Sequence, residues 1–312
     1  MNCRVCGYKN IKEGYFFRCY QDYSVNIYRC PECNSLFSDY DRNIYIKLHN
    51  MKDSTYKNHV ILAQSISVHF KNCDFDRIYN ELGKSYKNRF VMDEIEKLDN
   101  RELKILEIGC SDGYLTSFFI AKGYNILGID VSQDCIDNAK HFFGKKFFKK
   151  TEELDNNEKF DVIYHVGTIG CVDNPKEFIE YYADKLNSGG IMFFNAPNVS
   201  ALYGKWINGT LPPDLTILFD PVKLRCWIDK KYKLKIVVLK KDLKKSLNYL
   251  FFNKNKRKFL LKKNKKKNRN LRNIPENLVK NIFFPIVFNI IKNLRIKINI
   301  PEEYGILVKL KK

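Results

Sequence analysis

The chain has 312 residues, of which 45% are hydrophobic and 29% are charged, a composition typical of a globular protein with a substantial core. Its formal net charge is +20, and residues 240–272 hold 15 Lys or Arg and one acid, so 14 of these charges lie in one tract. The basic charge is therefore not spread evenly, and any basic surface that binds a partner is local. No segment is long and apolar enough to span a bilayer, and the first ten residues lack the core of a secretory signal, so we expect a cytoplasmic protein.

Two C-x2-C pairs lie near the start of the chain, Cys3 with Cys6 and Cys30 with Cys33, separated by 23 residues. Each pair can supply two thiolates to a tetrahedral zinc ion, and the aromatic and β-branched residues between them favour the strands of a zinc ribbon. A redox dithiol and free buried cysteines are the alternatives. We predict a ribbon over residues 1–40, with a structural zinc because four cysteine ligands leave no position open for water or substrate.

Residues 41–100 mix polar residues with apolar residues at helical spacing, which predicts a connector of two or three helices. Its histidines, His49, His59 and His69, have no neighbouring ligand residues in the sequence. We therefore expect them at the surface.

Residues 103–130 contain an apolar strand, a glycine turn, a helix and a second apolar strand that ends on Asp130. In such a unit the glycines let the backbone approach a nucleotide, the helix N-terminus offers free N–H groups, and the acid can accept both ribose hydroxyls. The dinucleotide pattern G-x-G-x-x-G, begun at Gly109, would need glycines where Ser111 and Tyr114 stand, so a dinucleotide is disfavoured. A βαβ unit that binds no ligand is the alternative.

Strand and helix patterns continue to alternate beyond this unit. Ser132 can cap a helix that runs to about residue 143, and a turn at Gly189 and Gly190 precedes a further strand. This alternation predicts a parallel, doubly wound sheet. The remaining predicted strands lie near residues 147–148 and at residues 160–166, 191–195, 233–239 and 304–310.

The pattern of Glu107, Gly109 and Gly113 resembles motif I of the class I S-adenosylmethionine (SAM)-dependent methyltransferases, with Ser111 in place of the usual middle glycine. Residues 159–198 also resemble the later motifs of that family, in which an acid-led strand, a loop, a helix and a Gly-Gly turn lead into strand five.

The resemblance implies a fold and a domain organisation. It predicts an α/β, Rossmann-like, doubly wound seven-stranded sheet in residues 101–312, behind the ribbon and the connector. Strands six and seven would pair as a hairpin and enclose residues 241–300 as a basic and apolar insertion.

The resemblance also implies roles for site residues. Gly109, Ser111 and Gly113 would line the methionine part of SAM, and Glu107 would order the turn through backbone N–H groups. Asp130 would hold the ribose, Val131 would lie against adenine, and Glu152 would lie near the adenine amine. The predicted cofactor-binding residues are thus Glu107, Gly109, Ser111, Gly113, Asp130, Val131 and Glu152.

Methyl transfer from a sulfonium is an in-line displacement, so the protein mainly positions the acceptor, and a hydroxyl or ammonium acceptor also needs a base. We predict His165 as this base because its ordinary pKa suits the role, with Cys171 and Asp173 as other candidates and a packed core histidine as the alternative.

The region from residue 206 to residue 236 resembles methyltransferases that act on sugars or isoprenoid rings. It favours a small-molecule acceptor such as a sugar, nucleotide-sugar or glycan precursor, docked near Tyr203, Trp206 and Asp214. Packing residues of a lid are the alternative for these three.

Two other functions stay open. The ribbon and the basic tract could serve an RNA methyltransferase, or the chain could be a non-catalytic zinc-ribbon interaction protein. Residues 241–300 could lie on an anionic membrane surface, grip nucleic acid, or pack on the core as a lid, and nucleic acid is the less favoured partner.

Overall fold

A computed structural model describes residues 1–11, 14–18, 24–39, 56–197, 216–220, 232–241 and 301–310. Several predictions concern other parts of the chain and lie outside the described residues. They are the predictions for His49, for the acceptor-loop residues Tyr203, Trp206 and Asp214, and for residues 242–300 of the insertion.

The described chain contains strands and helices that alternate through its middle. The strands are β1 (Gly14–Arg18), β2 (Ser24–Arg29), β3 (Leu36–Ser38), β4 (Lys104–Ile108), β5 (Asn125–Asp130), β6 (Phe148–Lys150), β7 (Phe160–His165), β8 (Leu186–Pro197), β9 (Ile217–Leu218), β10 (Tyr232–Lys241) and β11 (Pro301–Leu310). The α-helices are α1 (Tyr56–Lys71), α2 (Phe75–Leu82), α3 (Tyr86–Glu96), α4 (Tyr114–Ala121), α5 (Gln133–Phe143) and α6 (Pro175–Asp184).

The larger sheet has seven strands in the order β10-β11-β8-β7-β4-β5-β6. Strands β6, β5, β4, β7 and β8 are parallel to one another, whereas β11 is antiparallel to both β8 and β10. The predicted Rossmann-like, doubly wound, seven-stranded sheet is therefore confirmed, and so is the terminal hairpin. The order of the parallel strands changes direction at β4 and β7, where open α/β sheets form their ligand crevice.

Two apolar clusters cover the two faces of this sheet. On one face α1 to α5 pack through residues such as Ile66, Ile78 and Phe118. On the other face α6 packs beside residues of the cysteine region, among them Val5 and Phe37. The N-terminal cysteine region thus belongs to the core of the molecule.

Helix starts follow local capping chemistry. The Ser132 hydroxyl accepts a hydrogen bond from the Cys135 N–H (3.3 Å) and begins α5 as predicted. The Asn174 side chain accepts from the Glu177 N–H (3.3 Å), and Pro175 takes the first helical position of α6.

The predicted Gly-Gly turn lies inside a strand. Phe160 pairs with Leu186 and Val162 pairs with Ile191, so four residues of β8 oppose the single residue Asp161. The turn therefore forms a bulge, and β8 begins earlier than predicted from the apolar run.

A second, smaller sheet has the order β1-β2-β3-β9, with every pair antiparallel. The predicted ribbon supplies three of these strands, and β9 comes from beyond residue 215. We call the described residues up to 39, together with β9, the four-cysteine module.

None of the described helices has both the length and the apolar character that crossing a membrane requires.

Candidate functional site

The turn between β4 and α4, residues 109–113, sits at the carboxyl end of the parallel strands and we call it the glycine turn. Gly109 has φ of 71°, in the left-handed region that favours glycine. A Cβ on Gly109 would lie 2.5 Å from the Thr168 hydroxyl. The N–H groups of Gly109 and Cys110 both donate to the Ile129 carbonyl (2.8 and 3.0 Å), which fixes the turn against β5.

Ser111 occupies the position at which the family usually has its middle glycine. It adopts φ of 50°, which a non-glycine residue reaches at a cost of roughly 1–2 kcal/mol. Its hydroxyl donates to the Asp112 carboxylate (3.3 Å), and its N–H donates to Asp130 Oδ2 (2.9 Å). The turn thus keeps its left-handed shape because these contacts stabilise it.

Asp130 ends β5 beside the glycine turn, as predicted. Its Oδ2 accepts from the Ser111 N–H and its Oδ1 accepts from the Ser132 N–H, each at 2.9 Å. Each carboxylate oxygen keeps a second lone pair, so the pair of oxygens can still accept two hydroxyls. Burial raises the pKa of Asp130, while these backbone N–H groups act in the opposite direction.

Val131 and Glu152 lie beside Asp130 on the same edge of the sheet. Val131 is 65% exposed, which suits an apolar surface for a flat ring. Lys150 Nζ donates to the Val131 carbonyl (2.9 Å) and lies 3.7 Å from the Glu152 carboxylate, which is itself exposed. The assignment of Glu152 to the adenine amine stays a prediction.

Glu107 lies beneath the glycine turn and is buried. Its carboxylate accepts hydrogen bonds from the Thr116 hydroxyl and from the Tyr164 phenol (2.9 Å). Burial raises the pKa of Glu107 to about 8, against the opposing effect of these two hydroxyls. Side-chain hydroxyls of α4 and β7 are thus partners of Glu107, and the expectation that it orders the turn through backbone N–H groups stays a prediction.

Gly113 begins α4 with φ of 78°. A Cβ there would lie 2.7 Å from the Phe148 ring and 2.9 Å from the Ala139 Cβ. The space that its missing side chain leaves is therefore filled by β6 and α5, so Gly113 is required for packing, and its lining of the methionine stays a prediction.

His59 and Asp112 were missed as site residues by sequence reasoning. His59, expected at the surface, lies on α1 with Nδ1 3.4 Å from the Ser111 hydroxyl and its ring 5.7 Å from that of Tyr114. Burial lowers its pKa, and the nearby Asp130 charge partly offsets this. Asp112 is buried and accepts from the Asn138 amide (2.8 Å). No sequence signal pairs α1 with the turn, because that contact is purely tertiary.

His165, the predicted base, ends β7 and is fully buried. Its ring stacks on Phe194 (4.9 Å between centroids) and meets Phe178 edge-on (5.4 Å). Neither ring nitrogen has a hydrogen-bond partner among the described residues, and burial lowers its pKa to about 3. Its role as a base stays a prediction, and this apolar setting favours the packed core histidine.

The β7–α6 loop, residues 166–174, holds the other two base candidates. Cys171 is half-buried, with its Sγ 3.9 Å from the Gly167 carbonyl. Asp173 pairs with Arg4 (3.5 Å) and has 57% of its side chain exposed. The loop therefore borders the glycine turn on one side and the four-cysteine module on the other.

The four cysteines of the two C-x2-C pairs converge as predicted. All four Sγ atoms lie within 4.8 Å of one another, with 3.7 Å between Cys3 and Cys33 and 3.6 Å between Cys6 and Cys30. A tetrahedral zinc with Zn–S bonds of about 2.3 Å needs sulfurs roughly 3.8 Å apart, so this cluster fits the metal.

Each pair is followed by a left-handed residue that shapes its turn. Gly7 has φ of 75° and Asn34 has φ of 57°. The Gly7 N–H donates to the Cys3 carbonyl and the Asn34 N–H donates to the Cys30 carbonyl, each at 3.0 Å. The two turns therefore present their thiols in matching ways.

Part of the chain matches known proteins in sequence. Residues 83–230 match the family model described as a methyltransferase domain. Among curated relatives, a ubiquinone biosynthesis O-methyltransferase of Rickettsia bellii (strain OSU 85-389) is 29% identical over 106 residues, covering 32% of this chain and 44% of the relative. The mitochondrial protein of that name from Dictyostelium discoideum is 25% identical over 173 residues, covering 50% of this chain and 51% of the relative. The chain spans about half, or less, of the length of these relatives.

Solved structures include a SAM-dependent methyltransferase from Archaeoglobus fulgidus, with a TM-score of 0.46, 17% identity, and coverage of 71% of this chain and 94% of that one. The plantazolicin methyltransferase BpumL in complex with SAH has a TM-score of 0.43 and 13% identity, with coverage of 82% of this chain and 98% of that one. The family match and the strand order together settle the fold. The sheet has the Rossmann-like strand order of the class I methyltransferases, residues 83–230 match the methyltransferase-domain model, and a four-cysteine cluster lies near the N-terminus.

Proposed function

We propose that the chain is a SAM-dependent methyltransferase that acts on a small-molecule acceptor. The observation that carries this proposal is Asp130, whose two oxygens are oriented by N–H groups of two different turns and retain capacity for two hydroxyls. A carboxylate so placed beside a glycine turn suits the ribose of a nucleoside ligand.

The residues around Asp130 would divide the work of holding SAM. Bound SAM would supply a methyl group on a sulfonium, which is already activated for transfer. Asp130 would bind the ribose, Val131 would cover one face of the adenine, and the backbone of Gly109 and Ser111 would face the methionine part. The protein would then act mainly by positioning the acceptor in line with the methyl group.

Calorimetry with SAM tests this proposal. Asp130→Ala should raise the Kd by more than about tenfold, the scale of a lost charge-assisted hydrogen bond. Asp134→Ala is the matched control, because Asp134 lies exposed in the first turn of α5 and should leave the Kd unchanged. Absence of SAM binding by the wild-type protein would refute the proposal.

The acceptor that we propose first is a sugar, nucleotide-sugar or glycan precursor, supported by the resemblance of residues 206–236. A second candidate is an oxygen on a quinone-type ring, because relatives are named ubiquinone biosynthesis O-methyltransferases. Transfer of labelled methyl from SAM to sugar nucleotides, hydroxylated aromatics, lipid extracts and RNA, assayed in parallel, separates these classes. Labelling of RNA alone would contradict both and favour the RNA alternative.

We also propose that the cysteine cluster binds one structural zinc ion. The sulfur spacing supports a tetrahedral site, and the turns around the cysteines direct N–H groups of Val5 and Cys33 at sulfur atoms (3.4 Å each). Metal analysis of the purified protein should find about one zinc per chain. Cys3→Ser should remove the metal, whereas Cys73→Ser, which changes an exposed cysteine, should retain it. A metal-free wild-type protein that keeps its fold would refute this proposal.

A further inference from the structure

Arg4 connects the four-cysteine module to the β7–α6 loop. It lies between the first two cysteines, and only 16% of its side chain is exposed. Its guanidinium donates to the carbonyls of Ser38 (3.1 Å), Val172 (3.0 Å) and Asp173 (3.3 Å), and it also pairs with the Asp173 carboxylate. One side chain of the cysteine turn therefore holds the backbone of a loop that lies 168 residues further along the chain.

The other end of the same loop is held against the glycine turn. The Gly167 N–H donates to the Asn195 side-chain oxygen (2.6 Å), and the Thr168 hydroxyl donates to the Ile108 carbonyl (3.2 Å). Thr168 also fills the space above Gly109. The loop is thus in direct contact with the glycine turn, which we propose faces SAM.

The middle of the loop is held by the segment that forms β9. The N–H and the hydroxyl of Thr216 both lie 2.9 Å from the Gly170 carbonyl and donate to it. The Thr216 carbonyl in turn accepts from the Ser38 N–H (3.0 Å). Ser38 is therefore linked to the loop by two routes, one through Arg4 and one through Thr216.

Apolar packing joins the same elements. Ile169 of the loop is fully buried in one cluster with Val5 and Phe37 of the module and Ile217 of β9. A module that served only to recruit a partner would present this surface to solvent. In this protein the surface packs against the β7–α6 loop.

We propose that Arg4 is a positioning residue, and that through it the four-cysteine module sets the β7–α6 loop as the acceptor-side wall of the methyl-transfer site. The planar guanidinium suits this task because it holds its N–H groups in a fixed fork that reaches different carbonyls, whereas the three N–H groups of a lysine ammonium rotate about one point. The catalytic consequence rests on the proposed function, whereas the effect on the loop does not.

Hydrogen–deuterium exchange of the full-length protein tests the positioning. Arg4→Ala should speed exchange in the peptides that cover residues 167–173 and Thr216 by about tenfold or more, because three charge-assisted hydrogen bonds are lost, while the zinc content stays at the wild-type level. Arg101→Ala is the matched control, since Arg101 also donates to a backbone carbonyl, that of Lys122 (2.6 Å), but lies away from the loop and should leave these peptides unchanged.

Kinetics at saturating SAM add the functional readout. Arg4→Ala should lower kcat/KM for the acceptor by more than about tenfold and change the Kd for SAM by less than threefold. Unchanged exchange in residues 167–173 would overturn the proposal, whatever the activity. If Arg4→Ala lost the metal, Arg4→Lys decides: faster exchange confined to the loop, with zinc retained, supports the proposal, and wild-type exchange overturns it. Failure of the wild type to methylate any acceptor would refute the proposed function and leave the exchange result intact.

Discussion

Replacing His165 with leucine distinguishes a buried structural histidine from a catalytic base. The imidazole is fully buried and has no hydrogen-bond partner among the described residues. An unsatisfied buried polar group costs about 1–3 kcal/mol, and the stacking on Phe194 returns about 0.5–1.5 kcal/mol. At pH 7 the free energy of unfolding of His165→Leu should therefore equal that of the wild type or exceed it by about 1 kcal/mol.

The pH dependence gives a larger signal. Burial lowers the pKa of His165 to about 3, so below its ordinary pKa the unfolded chain binds a proton that the folded chain does not. Stability from this group is therefore complete above the unfolded pKa and is lost as the pH falls towards the folded pKa. Between pH 6.5 and pH 4.5 the wild type should lose about 2 kcal/mol through this residue alone, whereas His165→Leu should not.

Urea unfolding of both proteins at the two pH values measures this difference, since contributions of other groups cancel between them. His141→Leu is the control, because His141 is exposed on α5. Equal acid sensitivity of the wild type and His165→Leu would refute the reasoning. Turnover at pH 7 then tests the base hypothesis: a stable His165→Leu protein that binds SAM but transfers no methyl group would restore His165 as the base.

Two further predictions concern the glycine turn. Gly113→Ala should lower the free energy of unfolding, measured in urea, by about 2–4 kcal/mol, because the added Cβ would clash with Phe148 and Ala139 at a left-handed φ. Gly123→Ala is the control, since Gly123 has the same φ but open space around it, and should cost only about 1 kcal/mol. Equal losses would show that backbone strain alone matters. Burial raises the pKa of Glu107 to about 8, so the stability that this group contributes is lost as the pH rises from about 4.5 to 8. Urea unfolding of the wild type should show a loss of up to about 3 kcal/mol between pH 5 and pH 8, and Glu107→Gln should not show it.

The parts of the fold that follow from local chemistry were predictable from the sequence. The apolar runs of β4, β5 and β7 and the Ser132 cap carry their structure in their own residues. The acid at the end of β5 also followed, because a terminal carboxylate after a glycine turn has one common use in this kind of fold.

The remainder depended on contacts between distant residues. His59 meets Ser111 only because α1 packs over the glycine turn, and Arg4 meets Val172 only because the module docks on the sheet. Neither contact leaves a period or a motif in the sequence. The packing of β6 and α5 against Gly113 is a further contact of this kind, since a glycine needed for packing and one needed for a ligand look identical in a motif.

The pairing of β3 with β9 has a consequence for folding during synthesis. Ser38 and Thr216, which join these strands, are 178 residues apart. At about 5–20 residues per second, the ribosome needs roughly 10–35 s to deliver the second strand after the first. During that interval the β3 edge of a nascent ribbon has no strand to pair with, and exposed edges of this kind invite association. Early capture of a metal by the cysteines would order the two cysteine turns while the chain waits for its last strand.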